Sequence, residues 1–533
     1  MANPDVNGKI FINTWQKGSE ETANLGFGTM LGIENYTVKG TARLTKDTVK
    51  ISGGTVTDLP LYSSTGVTSD TVFIQGDTGK VYKYIVSTGV LTDITNAAST
   101  GLGQGLVFYE GYLFAFRAGK IDYLSTPYGA ANWTTNWQPN GAAPVLFVNT
   151  PIPTIIFPND GFAYFGTGHR MGKLGFGTSP TFDPTTPGTG YFYSDNFTGG
   201  TGLLPAFYQI TALSFLPTNY IAIGTSSYQN SAVADIILWN PTLSTYETPL
   251  RLFSQAEHGV ISSPNVESGI KQLINRNNIL YATTGGNHAI FSTNGSTFNQ
   301  IADLSLYTNI RTTGGSQSQS PVFMNPKLGA IDIFGNKLLT GISTPADISY
   351  YPASNGLYPA GVWSLAFQQD GSNSIQCEYT ISTNTTVAIN QYSIGMLRCI
   401  GSNQTLIGWR DNATYGIDLV STTDYQNVAG NTAIESEMLE IGTPLQPETI
   451  QTIQLNTPRT LLTGQTVSFY WRTGFDQNYT FLESFTSANN NDNGYKIQKN
   501  DIGATRFLQL KVTMASTSDL TRTPEIRNII VSK

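Results

Sequence analysis

Short apolar strands separated by glycine and asparagine turns are the dominant pattern of this chain, and the pattern is clearest in residues 269–304. Four strands are predicted in this stretch, at Ile270–Ile274, Ile279–Thr283, His288–Phe291 and Phe298–Ala302. Strands of about five residues joined by Gly- and Asn-rich turns are typical of β-hairpins. Four antiparallel strands in so short a stretch predict one blade of a β-propeller.

The same unit recurs along the chain. An apolar strand, a small-residue turn, a second apolar strand ending in Gly, Ser or Thr, and a third strand follow one another in the same order. After a first blade that starts near Thr41, equivalent second strands are predicted at Phe114, Tyr164, Ile223, Tyr281, Leu339 and Ile407. Seven such units predict an all-β, seven-bladed propeller over residues 41–442. Glycines near the ends of the second strands predict close packing near a central channel.

The two ends of the chain differ from the repeats. Residues 1–40 are apolar but aperiodic, which predicts an extended N-terminal arm packed either on its own propeller or on a neighbouring subunit. The segment Ser436–Gly442 is predicted to complete blade seven. Residues 443–533, with the strongly alternating run Arg506–Ser516, predict a C-terminal antiparallel β-sandwich. No stretch of helical periodicity is present, so helices are not expected.

Composition narrows the class of protein. Charged residues make up 12% of the 533 residues, about half the usual globular share of roughly 25%, and Thr, Ser, Asn and Gln supply the polarity. The net charge of −7 and the lack of a Lys/Arg cluster argue against specific nucleic-acid binding. The N-terminus does not have the pattern of a signal peptide, and no apolar run is long enough to predict a membrane span.

The cysteines and histidines are predicted to have structural roles. Cys377 and Cys399 each lie in a strand-like run, and buried free thiols are predicted in preference to a disulfide. The histidines, His169, His258 and His288, have no ligand-type spacing, so no metal site is predicted. His169, which follows two glycines, is predicted to lie at a blade turn.

Acids and aromatic residues leave two interpretations open. Carboxylates recur in predicted strands at Asp122, Asp235, Asp332 and Asp418. Two facing carboxylates about 5–10 Å apart could hydrolyse a glycoside. The favoured interpretation is structural, with each acid on the outward face of a strand or bonded to a neighbouring turn, because the four lie in different blades. Trp133 and Trp137 could stack on a sugar, although filling the space between blades is favoured. The sequence therefore predicts no catalytic, cofactor-binding or metal-binding residue.

One turn resembles a known propeller motif. Residues Ser292–Phe298 resemble the Asp-box turn of sialidase-like propellers, with Asn294 where Asp is usual and one residue fewer. In that family the turn caps the hairpin between the third and fourth strands and is not catalytic. The resemblance therefore implies a propeller and does not imply sialidase activity.

Taken as a whole, the chain resembles the propeller-bearing tail proteins of podovirus-like tailed bacteriophages, the tail nozzle or tail-tip class. The residues that carry this resemblance are the N-terminal segment Phe27–Leu44, the Thr/Asn/Gly-rich propeller and the C-terminal segment Arg506–Ser532. The resemblance implies a non-enzymatic virion protein, made in the host cytoplasm, that forms a homo-oligomeric ring, commonly a hexamer. It also implies contacts with other tail proteins, DNA only as passing cargo, and contact with a host-surface glycan or receptor.

Two other functions compete with the nozzle hypothesis. A virion fibre or spike protein is a variant of the same class. A carbohydrate-binding or glycoside-cleaving propeller belongs to a different class, and it predicts an open pocket at one propeller face with a carboxylate pair and an exposed aromatic residue.

Overall fold

The computed structural model of the chain is built almost entirely of β-strands. The residues it describes are 9–12, 27–35, 41–137, 151–174, 204, 208–217, 219–227, 234–241, 245–246, 250–253, 269–285, 288–295, 297–304, 326–343, 361–367, 373–379, 392–401, 404–411, 413–426, 432–436, 438–443, 445–474, 477–489, 495–498 and 502–533. Two short 3-10 helices occur in this part of the chain, at Ala130–Asn132 and Ser487–Asn489. Nothing helical among these residues has the length and hydrophobicity that crossing a bilayer requires.

Seven antiparallel sheets follow one another along the chain and form the blades. Blade one comprises Pro60–Thr65, Thr71–Gly76, Val81–Ile85 and Val90–Asp93. Blade two comprises Gly103–Tyr109, Tyr112–Arg117, Lys120–Leu124 and Trp133–Thr134. Blade three comprises Thr154–Ile156, Ala163–Thr167 and Arg170–Leu174. Blades four and five comprise Tyr208–Leu216, Tyr220–Ser227, Ala234–Asn240, Thr245–Tyr246 and Leu250–Phe253; and Ile270–Arg276, Ile279–Thr284, Ala289–Thr293 and Phe298–Asp303. Blades six and seven comprise Ile331–Phe334, Lys337–Ile342, Gly361–Phe367 and Asn373–Tyr379; and Tyr392–Ile400, Gln404–Asp411, Thr414–Tyr425 and Lys46–Lys50.

Apolar clusters between successive blades close these sheets into a ring. Phe73 of blade one packs with Leu106 of blade two, and equivalent clusters join each blade to the next. The last cluster places Met396 of blade seven against Ile74 of blade one. The first strand of each blade contacts the first strands of its neighbours, so these strands surround the axis. The predicted seven-bladed propeller is confirmed, and all six predicted second strands are second strands.

Glycines at the ends of second strands allow the close packing that the sequence predicts. In four blades a methyl group added to such a glycine would overlap the beginning of the next blade's first strand. The pairs are Gly166 with Ile210, Gly224 with Ile270, Gly341 with Ile394, and Gly408 with Pro60. Because any larger residue would push successive blades apart, these glycines set the spacing of the inner strands.

The closure of blade seven corrects the sequence prediction. Its fourth strand is Lys46–Lys50, which pairs antiparallel with Thr414–Tyr425, rather than the predicted Ser436–Gly442. Leu439–Glu440 pairs instead with Phe507–Ser516 of the C-terminal domain. The physical reason is burial, since Leu439 and Ile441 belong to the core of that domain. The strand that replaces them comes from the opposite end of the propeller sequence, which local patterns do not reveal.

The C-terminal domain is a sandwich of two sheets around one apolar core. One sheet has the order Lys9–Ile12, Asn528–Ser532, Thr452–Asn456 and Tyr495–Gln498, and the facing sheet has the order Phe27–Leu31, Ala433–Ser436, Phe507–Ser516, Gln465–Arg472 and Thr480–Thr486. Three smaller pairings extend the domain. Leu439–Glu440 pairs with the long strand Phe507–Ser516, and Glu448–Thr449 pairs with Ala504–Thr505. Ala42–Leu44 lies between Ile33–Glu34 and Glu525–Ile526 and pairs with both. Alternate residues of Phe507–Ser516 are buried, as the sequence pattern predicts for a strand with one face in a core.

The described strands of the N-terminal arm lie on the C-terminal sandwich, a position that the sequence pattern did not predict. Lys9–Ile12 is a strand of the sandwich, and Phe27–Leu31 pairs with Ala433–Ser436 of the same domain. Among its described residues, the contacts with the propeller begin where Leu31 pairs in parallel with Cys377 of blade six and continue to Asn35, which accepts a hydrogen bond from Ser374. The described part of residues 1–40 therefore completes the sandwich of its own chain. Strands of four and five residues are too short for their alternation to be recognised in the sequence.

One unfolding transition is expected for the two domains together. Through Phe27–Leu31, blade six and one sheet of the sandwich form a single ten-stranded sheet, so neither domain can lose its strands without disturbing the other. Differential scanning calorimetry should show one heat-absorption peak, with near-ultraviolet circular dichroism changing over the same temperature range. Two well-separated peaks would contradict this coupling.

Candidate functional site

The axis of the propeller, where all seven blades converge, is crossed by the chain itself. The axial segment is Pro326–Ala330, which leads into the first strand of blade six. Leu328 packs against the apolar cluster between blades one and two and also against the cluster between blades four and five. Gln272 Nε2 of blade five donates to the carbonyl oxygen of Lys327 at 2.6 Å. Because these contacts lie on different sides of the ring, the axial segment occupies the axis.

Glycine permits the axial segment to approach the inner strands. A β-carbon at Gly329 would overlap the carbonyl oxygen of Leu61 in blade one, and a β-carbon at Gly395 would overlap the carbonyl oxygen of Pro60. The amide of Leu397 in blade seven donates to the carbonyl oxygen of Gly329 at 2.8 Å. Where the first strands of blades one and seven begin, the axial segment is therefore packed against the backbone of both blades.

Asp122, one of the four candidate acids, joins blade two to blade one. The carboxylate is fully buried, with Oδ2 at 2.8 Å from Nε of Arg117, and its Oδ1 accepts a hydrogen bond from the amide of Asn136 at 2.8 Å. Arg117 donates in turn to the carbonyl oxygen of Gly79 in blade one. Burial lowers the pKa of the Arg117 guanidinium, and the neighbouring Asp122 carboxylate opposes that shift. The pair thus has a structural role between two blades.

Asp235 and Asp418 are also buried and bonded within their own blades. Asp235 accepts a hydrogen bond from the hydroxyl of Tyr208, and Asp418 Oδ1 accepts one from the indole Nε1 of Trp409 at 2.6 Å. The predicted outward-facing position is wrong for both and for Asp122, because all three side chains point into the protein. The predicted bond to a neighbouring turn does occur at Asp122.

Asp332 links blade six to blade seven. Its Oδ1 accepts a hydrogen bond from the amide of Ile333 at 2.8 Å, and its Oδ2 accepts one from the amide of Cys399 at 2.7 Å. Loss of hydration raises the pKa of the Asp332 carboxyl, and the charge of nearby Arg398 partly offsets the rise. With both oxygens engaged by backbone amides, this acid contributes to blade docking.

The histidines do not form a common site in the described part of the chain. His169 lies in the turn between the second and third strands of blade three, as predicted, and its carbonyl oxygen accepts a hydrogen bond from Leu204. His258 lies outside the described residues. His288 is fully buried; its Nε2 shares a hydrogen bond of 2.7 Å with Thr340 Oγ1, and that hydroxyl donates to Gln272 Oε1 at 3.1 Å. Among the described residues, no group of three potential metal ligands comes together.

The pH dependence of stability should carry a contribution from His288. Burial lowers the pKa of His288 from 6.5 to about 3, so between these values the unfolded chain binds a proton that the folded chain does not. Stability should therefore fall as the pH falls from 6.5 towards 3, by up to about 1.4 kcal/mol per pH unit from this residue. Urea titrations at several pH values should show a shallower fall for His288→Gln than for the wild type.

The buried acids titrate in both proteins, so the difference between the two curves isolates His288. Asp332, for example, has a raised pKa, and its effect on stability has the opposite sign over the same range. Parallel curves for the two proteins would show that His288 can gain a proton in the folded state.

Cysteine and tryptophan side chains fill the interior. Cys377 and Cys399 are both free thiols; Cys377 is fully buried, as predicted, and Cys399 is half-buried. Trp133 donates its indole N–H to the carbonyl oxygen of Ile94 at 2.8 Å, and Trp137 packs in the cluster between blades two and three. The interpretation of both tryptophans as core residues is confirmed.

The Asp-box-like turn lies where the resemblance places it. It connects the third and fourth strands of blade five, and Thr293 Oγ1 accepts a hydrogen bond from the amide of Gly295 at 3.0 Å. Gly295 has a φ of 101°, which favours glycine, and it faces Leu216 and Leu238 of blade four. The turn caps a hairpin and packs against the preceding blade.

A partly exposed group of aromatic and basic side chains on the sandwich is the best candidate for a contact surface. The aromatic patch consists of Tyr470, Arg472, Tyr479, Phe481 and Lys511. The rings of Tyr470 and Phe481 lie edge to face at 5.5 Å, and Phe481 is 55% exposed. The guanidinium of Arg472 lies 4.4 Å from the centre of the Tyr479 ring, and Lys511 Nζ lies 5.4 Å from it.

The composition of the aromatic patch is typical of protein contact surfaces, where aromatic residues and arginine are enriched. The flanking Val467 and Phe469 point into the sandwich core, so the patch belongs to the outer face of the sheet. No sequence motif indicates it. The alternation of buried and outward positions along Gln465–Arg472 is the signal that could have indicated it.

Comparisons with known proteins give no family for the chain. No protein-family model matches it, and no curated protein matches it. It is similar in structure to the β-propeller domain of Cps50 (Swd1) from Myceliophteria thermophila, at 10% identity over 70% of this chain and 99% of that chain, with a TM-score of 0.39. It is also similar to the computationally designed Ika8 protein, at 12% identity over 70% of this chain and 99% of that chain, with a TM-score of 0.35. The propeller fold itself rests on the strand pairings and the clusters between blades.

Proposed function

We propose that this chain is a structural component of a bacteriophage tail, a subunit of a nozzle or tail-tip ring that surrounds the DNA exit path. The observation that carries the proposal is the axial segment. It crosses the axis at the end where the first strands of blades one and seven begin, and the four candidate acids are engaged in bonds within a blade or between neighbouring blades. The propeller then serves as a scaffold, and its outer surfaces make the contacts with other proteins.

Two further features support an assembly role. The ten-stranded sheet couples the propeller to the sandwich, so that a force applied to one domain is passed to the other. The aromatic patch offers a neighbouring tail protein or a host-surface receptor an exposed aromatic ring beside fixed cations. In the proposed ring, DNA passes between subunits rather than through the propellers, because the axial segment crosses each propeller axis. DNA is cargo and is not bound specifically.

Mass spectrometry of purified virions tests the proposal most directly. The chain should be present at a fixed, low copy number relative to the major capsid protein. Native mass spectrometry of the purified chain, alone and with the other tail proteins, should show a closed ring, a hexamer by resemblance. A chain that stays monomeric under all these conditions and is absent from virions would overturn the proposal.

The aromatic patch can be tested separately from folding. Phe481→Ser should weaken incorporation into virions or binding of a tail partner, whereas Val67→Ser, at a 72% exposed valine in a turn of blade one, should not. Both proteins should retain the wild-type circular dichroism spectrum. Equal incorporation of the two variants would exclude the aromatic patch as the contact surface and leave the tail assignment to the virion measurement.

A further inference from the structure

Five buried polar atoms without a hydrogen-bond partner lie on two strands of blade six and on the segment that follows Phe27–Leu31. They are Nδ2 of Asn35, Oγ of Ser364, Nε2 and Oε1 of Gln376, and Oε1 of Glu378. The four side chains are at most 3% exposed. Buried polar atoms in folded proteins nearly always have a partner, and leaving them without one is costly. Five such atoms on one blade and the segment beside it therefore require an explanation.

The strand register places two of the four side chains next to each other, and a hydrogen bond connects a third to the same face. Ser364 and Gln376 lie directly opposite each other on adjacent antiparallel strands, so their side chains share one face of blade six. Ser374, two residues before Gln376, shares that face, and its hydroxyl donates to Asn35 Oδ1 at 2.8 Å. The polar chamber is defined as the space bounded by Asn35, Ser364, Ser374, Gln376 and Glu378.

The chain seals the polar chamber at the outer edge of blade six. The amide of Gly32 donates to the carbonyl oxygen of Cys377 at 2.8 Å. The carbonyl oxygen of Glu378 accepts hydrogen bonds from Thr45 Oγ1 at 2.7 Å and from Gln426 Nε2 at 3.0 Å. Segments from the N-terminal region and from the end of blade seven thus cover the strand that carries Gln376 and Glu378.

The hydrogen-bond donors and acceptors that line the polar chamber indicate what it can hold. The amides of Asn35 and Gln376 offer N–H donors, whereas Gln376 Oε1 and Glu378 Oε1 accept and Ser364 can do either. Lys337 already pairs with the other carboxylate oxygen of Glu378, so the chamber has no net charge to attract an ion. A neutral molecule that both donates and accepts fits this set.

We propose that ordered water molecules occupy the polar chamber and join the N-terminal segment to blade six. A buried water typically makes about three hydrogen bonds, so about two waters satisfy the five atoms. These waters bridge Asn35, on the segment that leads from the sandwich, to Gln376 and Glu378 of the propeller. The docking of the two domains then depends on hydration as well as on strand pairing.

A high-resolution crystal structure of the full chain tests the proposal. Water peaks should lie about 2.7–3.2 Å from Gln376 Nε2 or Oε1 and also from Asn35 Nδ2 or Glu378 Oε1. A chamber in which the Asn35, Gln376 and Glu378 side chains bond directly to one another, with no water between them, would overturn it. So would a chamber without solvent density in which the polar atoms stay apart.

A pair of variants gives an independent measurement. Gln376→Met keeps the approximate volume but removes two of the polar atoms, so the remaining waters lose partners. Its melting temperature should be lower than the wild type's by several degrees, while Gln300→Met, at an exposed position of blade five, should melt like the wild type. Equal melting temperatures for the two variants would overturn the proposal. If Gln376→Met does not fold, the crystal structure of the wild type still decides.

Discussion

Gly329→Ala is expected to destabilise the propeller by about 3 kcal/mol or more, at the upper end of the cost of overpacking. The added methyl group would overlap the carbonyl oxygen of Leu61, which is backbone and cannot rotate away. Relief requires either the axial segment or the first strand of blade one to move. Both are held by their neighbours, since the carbonyl oxygen of Gly329 accepts a hydrogen bond from Leu397. The variant's midpoint of urea denaturation should fall well below that of the wild type.

Gly129→Ala is the matched control, because the same methyl group there would meet only the side chain of Asn132 at an ordinary contact distance of 3.4 Å. Its denaturation midpoint should stay close to the wild-type value. Equal midpoints for the two alanine variants would mean that the axial segment is not packed against blade one. That result would also remove the main support for an axis crossed by the chain.

Local repetition made the blades predictable. An apolar strand that ends in a small residue and turns at Asn or Gly is a unit that a single sequence reveals, and blade five shows it most clearly. Even there the turn between its first two strands is shorter than the pattern indicates. Two residues, Asn277 and Asn278, both with positive φ, make the turn, and the strands extend to Arg276 and from Ile279.

Pairings between distant parts of the chain were not predictable in the same way. Lys46–Lys50 closes blade seven, and Phe27–Leu31 joins blade six to the sandwich. The sequence pattern of neither segment identifies the strand with which it pairs. The position of the axial segment could not be predicted either. Nothing in the local sequence distinguishes Leu328 from other leucines, and its place on the axis follows only from the closed ring of blades. The four acids illustrate the same limit, because their outward or inward direction depends on partners such as Arg117 and Trp409 on the neighbouring strand.

Lys337→Met is expected to destabilise the protein by about 3–5 kcal/mol at neutral pH, the cost of leaving a buried charge without its partner. Lys337 and Glu378 form an ion pair in which both side chains are almost completely buried. Methionine fills the space of the lysine stem but leaves the carboxylate facing an apolar side chain. Thermal melts and urea titrations should both show the loss.

The exposed pair of Arg506 and Glu440, 3.2 Å apart, provides the control, and Arg506→Met should cost less than about 1 kcal/mol. The double variant Lys337→Met with Glu378→Leu should recover most of the stability, because it leaves no buried charge unpaired. If Lys337→Met alone costs no more than Arg506→Met, water must reach Glu378 from outside. The blade-six edge would then be open to solvent, and the N-terminal segment would cover the propeller less tightly than its hydrogen bonds to Cys377 and Glu378 indicate.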